Sequence, residues 1–424
     1  MDLKSRSDIC ILRFAHAFSS GGGMETYIHD LDRTLLANNN WTIIRMYLLK
    51  ETKINSGLEY EKLGKGLLVK VPVNIKAVNK AKHDITTVKS HKLTDLVLNT
   101  FRDYIIYNPI LYRIVFRGII ERKPIPERPN EAPTAGDVAK ELLEKFKVNL
   151  LVMHYASGRD SAGIIQEAVS KGIPYIFINH FANDSLSSIS VREQTARAAG
   201  IGGVAGVGVP RRLRKFFVNI SDGIDIQFFR REKAVTKGDW PILFLPARIT
   251  PTKGQHDLVA ACGDLRKEGV RVKIALAGRP DEEGYTVYLR ELAAKNGIGG
   301  DLLLLGQLDA NELKYWYEKS SLMVFPTYHH EGLPRILLES QAMEVPPISY
   351  IVGGTPDAII NGATGYLVKK GDIKSLKRRM VELLTNDTLR LEMGRAGRAL
   401  VEEKFSLSAL AQRHKAFYLL AIKK

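Results

Sequence analysis

Two cysteines in 424 residues, Cys10 and Cys262, are too few for a disulfide framework. Cys10 lies in an apolar strand-like run and Cys262 on a helical pattern in the other half, so both read as buried free thiols rather than a bridge or a metal pair. No stretch approaches the roughly 18 to 20 apolar residues that span a bilayer. The first eight residues lack an apolar core and run straight into a strand-like segment, so no secretory leader is expected and the expected compartment is the cytoplasm. Acids are the scarce charge: 46 Asp and Glu against 62 Lys and Arg leave a net charge of +16. With 45% apolar and 25% charged residues, the composition is that of a globular protein, and the length favours two or three domains.

The positive charge is unevenly spread. Residues 61–128 carry 14 Lys or Arg against six acids, half of the whole excess. A local basic surface suits an anionic partner such as phospholipid head groups, a phosphorylated acceptor or nucleic acid, and equally suits a plain solvated face.

Elsewhere one theme repeats, an apolar strand, a turn and an amphipathic helix. Strands are expected at residues 9–14, 41–49, 150–153, 175–178 and 203–209, with helices at 24–36 and 161–170. Between them lies a basic, partly aromatic insertion at about residues 55–135, closed by a proline-rich stretch. A polar break at residues 229–239 precedes a second series of strands at 242–245, 272–277, 302–305, 322–325 and 347–350. Short apolar runs alternating with helices indicate parallel sheets built by right-handed crossovers. Two successive doubly wound domains follow, and ligands of such sheets bind beyond the carboxyl ends of the strands. In the last helix Leu407, Leu410, His414, Phe417 and Ala421 share one face that could cap either domain.

Three loops after strands carry candidate chemistry. Ser19-Ser20-Gly21-Gly22-Gly23-Met24-Glu25 lets backbone approach a ligand at a helix start, as a flexible turn would also do; it is not the dinucleotide G-x-G-x-x-G. Arg248-Ile249-Thr250-Pro251-Thr252-Lys253-Gly254 sets two cations beside a helix start, which suits a diphosphate. In residues 326–342 a loop carries Glu331, Pro334 fits a first helical turn, and Glu339 falls among apolar neighbours inside the helix. A carboxylate placed there needs hydrogen-bond partners, which vicinal sugar hydroxyls or a structural salt bridge would supply.

Taken in order, these pieces resemble glycosyltransferase family four, retaining enzymes of the GT-B fold. The resemblance rests on Gly21-Gly22-Gly23-Met24-Glu25, the R-x4-K pair Arg248 and Lys253, the E-x7-E pair Glu331 and Glu339, and the closing stretches Gly353-Gly354-Thr355-Pro356-Asp357 and Gly362-Ala363-Thr364-Gly365-Tyr366-Leu367-Val368. It is good from about residue 240 onward and patchy before. It implies two Rossmann-like α/β domains facing across a cleft: residues 1–229 on the acceptor side, 230–404 for the nucleotide sugar, and a helix at 405–424 returning to the first. It further implies that Arg248 and Lys253 hold the donor diphosphate and stabilise its leaving charge. Glu339 would bind the ribose. Glu331, with the backbone of Gly332 and Leu333, would place the transferred sugar. Gly22 and Gly23 would close over the phosphates. His180 resembles the family's active-site histidine, and His154 stands where a second histidine often occurs.

The implied reaction is metal-independent transfer from a UDP- or GDP-linked sugar, with retained configuration and no cofactor besides the donor. Asp30-Leu31-Asp32, the only D-x-D, lies in a helical stretch and reads as surface rather than a metal site. The chain departs from the family pattern at Pro334, which cannot donate a backbone hydrogen bond. It departs again at Ser221-Asp222-Gly223-Ile224-Asp225, where the family has Pro-Asn-Gly-Val-Asp. Within the insertion, Phe101, Tyr104, Tyr107, Tyr112 and Phe116 interleave with Arg102, Arg113 and Arg117. That mixture suits core packing, or peripheral contact with an anionic membrane bearing a lipid-linked or glycan acceptor. The competing readings are an epimerase or phosphorylase on the same scaffold and a basic nucleic-acid-binding protein, for which no recognisable motif is present.

Overall fold

The computed structural model describes residues 9–15, 23–49, 59–74, 135–154, 159–179, 198–203, 217–220, 222–232, 240–330 and 332–423. The first layer is built from β1 (Ile9–Ala15), α1 (Gly23–Asn38), β2 (Trp41–Leu49), β3 (Glu59–Leu63), β4 (Gly66–Asn74), α2 (Ala135–Lys145), β5 (Leu150–Met153), α3 (Arg159–Ser170), β6 (Tyr175–Asn179), β7 (Gly200–Gly203) and β8 (Phe217–Asn219). Its eight strands run β3-β4-β2-β1-β5-β6-β7-β8, parallel except for the edge strand β3. Both faces are covered, which explains the near-continuous apolar strands. On β1, Cys10, Leu12 and Phe14 pack with α2 and α3, while Ile11 faces α1 and the last helix.

The second layer contains β9 (Ile242–Pro246), a 3-10 turn (Pro251–Lys253), α4 (Gln255–Lys267), β10 (Lys273–Ala277), α5 (Glu283–Lys295), β11 (Leu302–Leu304), α6 (Ala310–Lys319), β12 (Leu322–Phe325), α7 (Arg335–Ala342), β13 (Pro347–Tyr350), α8 (Thr355–Ala358) and β14 (Tyr366–Val368). Helices α9 (Ile373–Thr385), α10 (Asp387–Lys404) and α11 (Leu407–Ile422) follow. The six strands run β11-β10-β9-β12-β13-β14, all parallel. The two doubly wound layers face each other across a cleft, as expected for the GT-B architecture.

The outgoing and returning chains meet side by side. The Ile224 N–H donates to the Phe405 carbonyl at 2.7 Å, and the Leu407 N–H to the Ile224 carbonyl at 3.2 Å. Ser406 then caps α11 by accepting from the Ala409 N–H at 3.2 Å. Leu410, His414, Phe417 and Ala421 are buried, and α11 packs into the first layer beside α1, β5 and β7. Strand β7 is cut to receive it. A Cβ on Gly202 would come within 2.3 Å of Ile220 and 3.0 Å of the Phe417 ring.

Two sequence expectations change. The strand expected at residues 203–209 is found at Gly200–Gly203, and 204–209 lie outside the described residues. A strand of glycines shows no alternation, because Phe417 and Ile220 supply the bulk that its own side chains lack. The insertion of residues 55–135 also begins with a β-hairpin: β4 joins β2 in register Thr42↔Leu67, and β3 closes the edge. Lys62, Lys65 and Lys70 disguise it, as edge strands commonly carry lysine.

Candidate active site

The second sheet reverses its strand order between β9 and β12, since β10 and β11 lie on one side and β13 and β14 on the other. At such a point the loops leaving the two central strands diverge and open a crevice. Here β9 delivers Arg248 and Lys253, and β12 delivers the Glu331 loop and α7 with Glu339. The N-termini of α4 and α7 open at the same edge, adding the positive ends of two helix dipoles.

The two loops are tied together. The Thr252 carbonyl accepts from the Tyr328 N–H at 2.8 Å, the His329 N–H at 3.1 Å and the Thr327 hydroxyl at 3.3 Å. Gly254, with φ of 73°, presses so closely on Pro326 that a Cβ would come within 1.9 Å of its carbonyl oxygen. The Gly353-Gly354-Thr355 turn completes the floor. Gly354 lies against Gly332, where a Cβ would approach the carbonyl oxygen to 1.6 Å. Leu333, beside it, is buried.

The two cations differ in setting. The Arg248 side chain is 58% exposed and pairs with Asp281 at 2.9 Å. Lys253 is buried, with Nζ 5.7 Å from the centre of the Phe325 ring. Glu339 is buried in α7 and accepts from the Tyr317 hydroxyl at 3.2 Å; burial pushes its carboxyl up from the ordinary range. One oxygen thus has a protein donor in a setting that favours further donors.

A second carboxylate holds the loop from below. Asp257, in the first turn of α4, accepts through Oδ2 from the Tyr328 hydroxyl at 2.7 Å and the Tyr350 hydroxyl at 2.6 Å. The Tyr328 ring stacks on His256, whose Nδ1 lies 2.9 Å from the Tyr285 hydroxyl. Burial, reinforced by the bond to Asp257, pushes the Tyr328 hydroxyl up to about 12, so it stays a donor at neutral pH. Sequence reading missed this cluster, whose members are spread over 95 positions from His256 to Tyr350 and share no motif.

In the first sheet the order reverses between β1 and β5, which places Gly23, at the start of α1, and His154 at the corresponding edge. Gly23 opens α1, while Gly22, His180 and Glu331 lie outside the described residues. His154 is buried, and its Nε2 sits 2.7 Å from Arg13 Nη1. A guanidinium has only donors, so Nε2 accepts and the ring proton sits on Nδ1.

Arg13 leads to a correction. The Asp30-Leu31-Asp32 stretch is not surface. Asp32 is fully buried, 2.9 Å from Arg13 Nη2 and 2.6 Å from Arg45 Nη2, and Leu31 is also fully buried. The argument from helical facing failed because α1 is enclosed on several sides, by the sheet, by α11 and by the second layer. Arg13 Nη2 also donates to the Tyr418 hydroxyl at 3.2 Å, Tyr418 lies 2.9 Å from His414 Nδ1, and His414 Nε2 lies 2.5 Å from the Tyr27 hydroxyl. One buried polar network thus joins β1, β2, β5, α1 and the returning helix. The arginines in two otherwise apolar strands were its only sequence signal. Cys10 and Cys262 are, as expected, buried free thiols.

Residues 226–400 match the family model described as glycosyl transferases group 1. The capsular polysaccharide biosynthesis glycosyltransferase CapM of Staphylococcus aureus is 31% identical over 179 residues, 40% of this chain and 44% of that one. A GDP-mannose-dependent monoacylated alpha-(1-6)-phosphatidylinositol monomannoside mannosyltransferase of Corynebacterium glutamicum is 27% identical over 220 residues, 46% of this chain and 54% of that one. The chain spans about half the length of these curated relatives. Among solved structures, Anabaena HepE in complex with UDP superposes with a TM-score of 0.68 at 12% identity, covering 96% of this chain and 99% of that one. A glycosyltransferase from Rickettsia africae gives 0.67 at 16%, covering 98% and 99%. At those identities the likeness speaks for the architecture alone: the fold is GT-B, and its second layer carries the sequence pattern of the group 1 glycosyl transferases.

Proposed function

We propose that this protein is a retaining, metal-independent glycosyltransferase that moves a hexose or N-acetylhexosamine from a UDP- or GDP-linked sugar to a hydroxyl acceptor. The observation that carries the reading is the joining of the Arg248–Lys253 loop to residues 327–329 of the loop leaving β12, at the switch point of the second sheet, through the Thr252 carbonyl. In this reading residues 230–404 hold the donor and residues 1–229 the acceptor. Arg248 and Lys253 grip the diphosphate and Glu339 accepts from the ribose hydroxyls. Glu331 and the backbone of Gly332 and Leu333 orient the sugar, Gly22 and Gly23 close over the phosphates, and His180 meets the sugar near its reacting carbon. As the acceptor oxygen bonds to the anomeric carbon, the bond from that carbon to the diphosphate oxygen breaks on the same face. The acceptor proton passes to the departing diphosphate, whose growing charge the two cations stabilise.

The acceptor we infer is a lipid-linked or polysaccharide chain of the cell envelope, reached at the inner face of the membrane. The similarity to enzymes named for capsular polysaccharide and phosphatidylinositol mannoside supports this, as does the basic, aromatic segment at residues 75–134, which lies outside the described residues. No helix among the described residues is long and apolar enough to cross a membrane, so contact would be peripheral. A panel of nucleotide sugars screened by thermal shift, followed by transfer assays on the hits, tests the donor assignment. Arg248→Ala and Glu339→Ala should each abolish the shift; full stabilisation retained in both refutes the site. Sedimentation with and without anionic liposomes tests the membrane part, which equal and negligible binding would remove.

A further inference from the structure

Arg335 opens α7 one helical turn before Glu339, and its side chain reaches out of the layer to which that helix belongs. Nη1 donates to Asp222 Oδ1 at 3.0 Å and to the Gly223 carbonyl at 3.1 Å, in the segment that leaves the first sheet. Nη2 lies 3.5 Å from Asp30 Oδ2 on α1, the helix that begins at Gly23. The Gly223 N–H holds Asp222 Oδ1 at 2.8 Å, so that carboxylate is fixed before the arginine arrives.

These are shielded pairs. The Arg335 side chain is 15% exposed, that of Asp222 11% and that of Asp30 24%. Exposed ion pairs contribute little, but removing one partner of a buried pair leaves a charge that neither water nor protein satisfies. A guanidinium, with five donors in a planar fork, serves two carboxylates and a carbonyl at once, whereas an ammonium would spend all three of its donors from a single point. The chain's departure at Asp222, where the resembled family has asparagine, supplies the charge that an amide would lack.

We propose that Arg335 is a positioning residue that clamps α1 of the first layer onto α7 of the second and so sets the width of the cleft between Gly23 and Glu339. Its effect on turnover rests on the glycosyl-transfer reading; its effect on cleft width does not. The clamp joins the helix behind the glycine loop to the helix that bears the ribose-binding carboxylate. Losing it lets both sides of the donor site drift apart without removing any group that touches the donor.

Distances between spin labels on α1 and α5 test this in the full chain. Arg33→Cys and Tyr288→Cys place the labels at exposed positions, and the native thiols Cys10 and Cys262 are buried. Arg335→Ala should lengthen and broaden the distance distribution, Asp30→Asn should do so less, and Arg335→Lys should fall between Arg335→Ala and the parent. Asp30→Asn keeps the side-chain shape and guards against an Arg335→Ala chain that fails to fold. With the nucleotide sugar that stabilises the parent, Arg335→Ala should raise the donor KM about tenfold, with a smaller change in kcat and partial recovery in Arg335→Lys. Distributions for Arg335→Ala and Asp30→Asn that superimpose on the parent overturn the clamp. A parent chain that no nucleotide sugar stabilises sinks the glycosyl-transfer reading, and the distances still decide the clamp.

Discussion

Asp257 accepts hydrogen bonds from two tyrosines that differ in what they carry, and this makes a paired substitution informative. Tyr350 belongs to β13 and is fully buried. Tyr328 belongs to the loop after β12, three positions before Glu331. Each hydroxyl donates to the same carboxylate oxygen, at 2.6 Å and 2.7 Å respectively. Replacing either tyrosine with phenylalanine removes one hydrogen bond to a charged group, which costs about 1.5 to 3 kcal/mol. For a unit of this size each kcal/mol moves the melting temperature by roughly 2 to 4 °C, so either variant should melt roughly 3 to 12 °C lower.

Donor affinity should separate them. In Tyr350→Phe the loop keeps its bond from Tyr328 to Asp257, and UDP or GDP affinity by titration calorimetry should stay within about twofold of the parent. In Tyr328→Phe the loop loses that tether but keeps its backbone bonds to the Thr252 carbonyl. The affinity loss should then be about tenfold, which corresponds to about 1.4 kcal/mol. Equal affinity losses in the two variants would show that Asp257 acts only through the stability of the layer, and no stability loss in either would refute the hydrogen-bond assignment.

Three further outcomes are expected. Asp32→Asn leaves Arg13 and Arg45 buried without their counter-charge, and denaturant titration should record a loss of about 3 to 5 kcal/mol; under 1 kcal/mol would mean that the arginines find other partners. Gly202→Val drives a side chain into Phe417 and Ile220, so the Phe417 helix should undock and become open to limited proteolysis in the native buffer, whereas a protected helix would contradict the packing. Burial raises the carboxyls of Asp30, Asp222 and Glu339, so the folded chain keeps protons that the unfolded chain releases above about pH 4. Stability therefore falls as pH rises from there through the folded values, and Glu339→Gln should flatten the slope of unfolding free energy against pH; an unchanged slope would show that burial does not raise the Glu339 carboxyl.

What could be read in the sequence follows from how each feature is encoded. Strands β2, β5, β12 and β13 lie where their apolar runs place them, because a strand covered on both faces must be apolar along its length. Arg248, Lys253 and Glu339 come to one edge of the second sheet because the loops leaving the two strands that flank a switch point must open there. Strand β7 was displaced because its glycines answer to Phe417, more than 200 positions away. The β3–β4 hairpin was hidden because a lysine-bearing edge differs little from a basic loop.

The second kind of failure is more instructive, because it concerns charge. The Asp30 and Asp32 carboxylates looked like surface, since a carboxylate on a helix normally faces water. Burying one is tolerable only where cations from elsewhere in the fold arrive, and those cations are not neighbours in sequence. Asp32 meets Arg13 and Arg45 from two strands, and Asp30 meets Arg335 from the other layer. An arginine in an apolar strand is therefore the more telling half of such a pair. Its desolvation is tolerable only with a partner, so its presence at position 13 or 45 already implies a buried acid, even though the partner's position is unknown. Residues on the loops that follow strands obey local spacing and could be placed from it. Residues that hold the layers in register follow the fold, and they become visible only when the two sheets stand together.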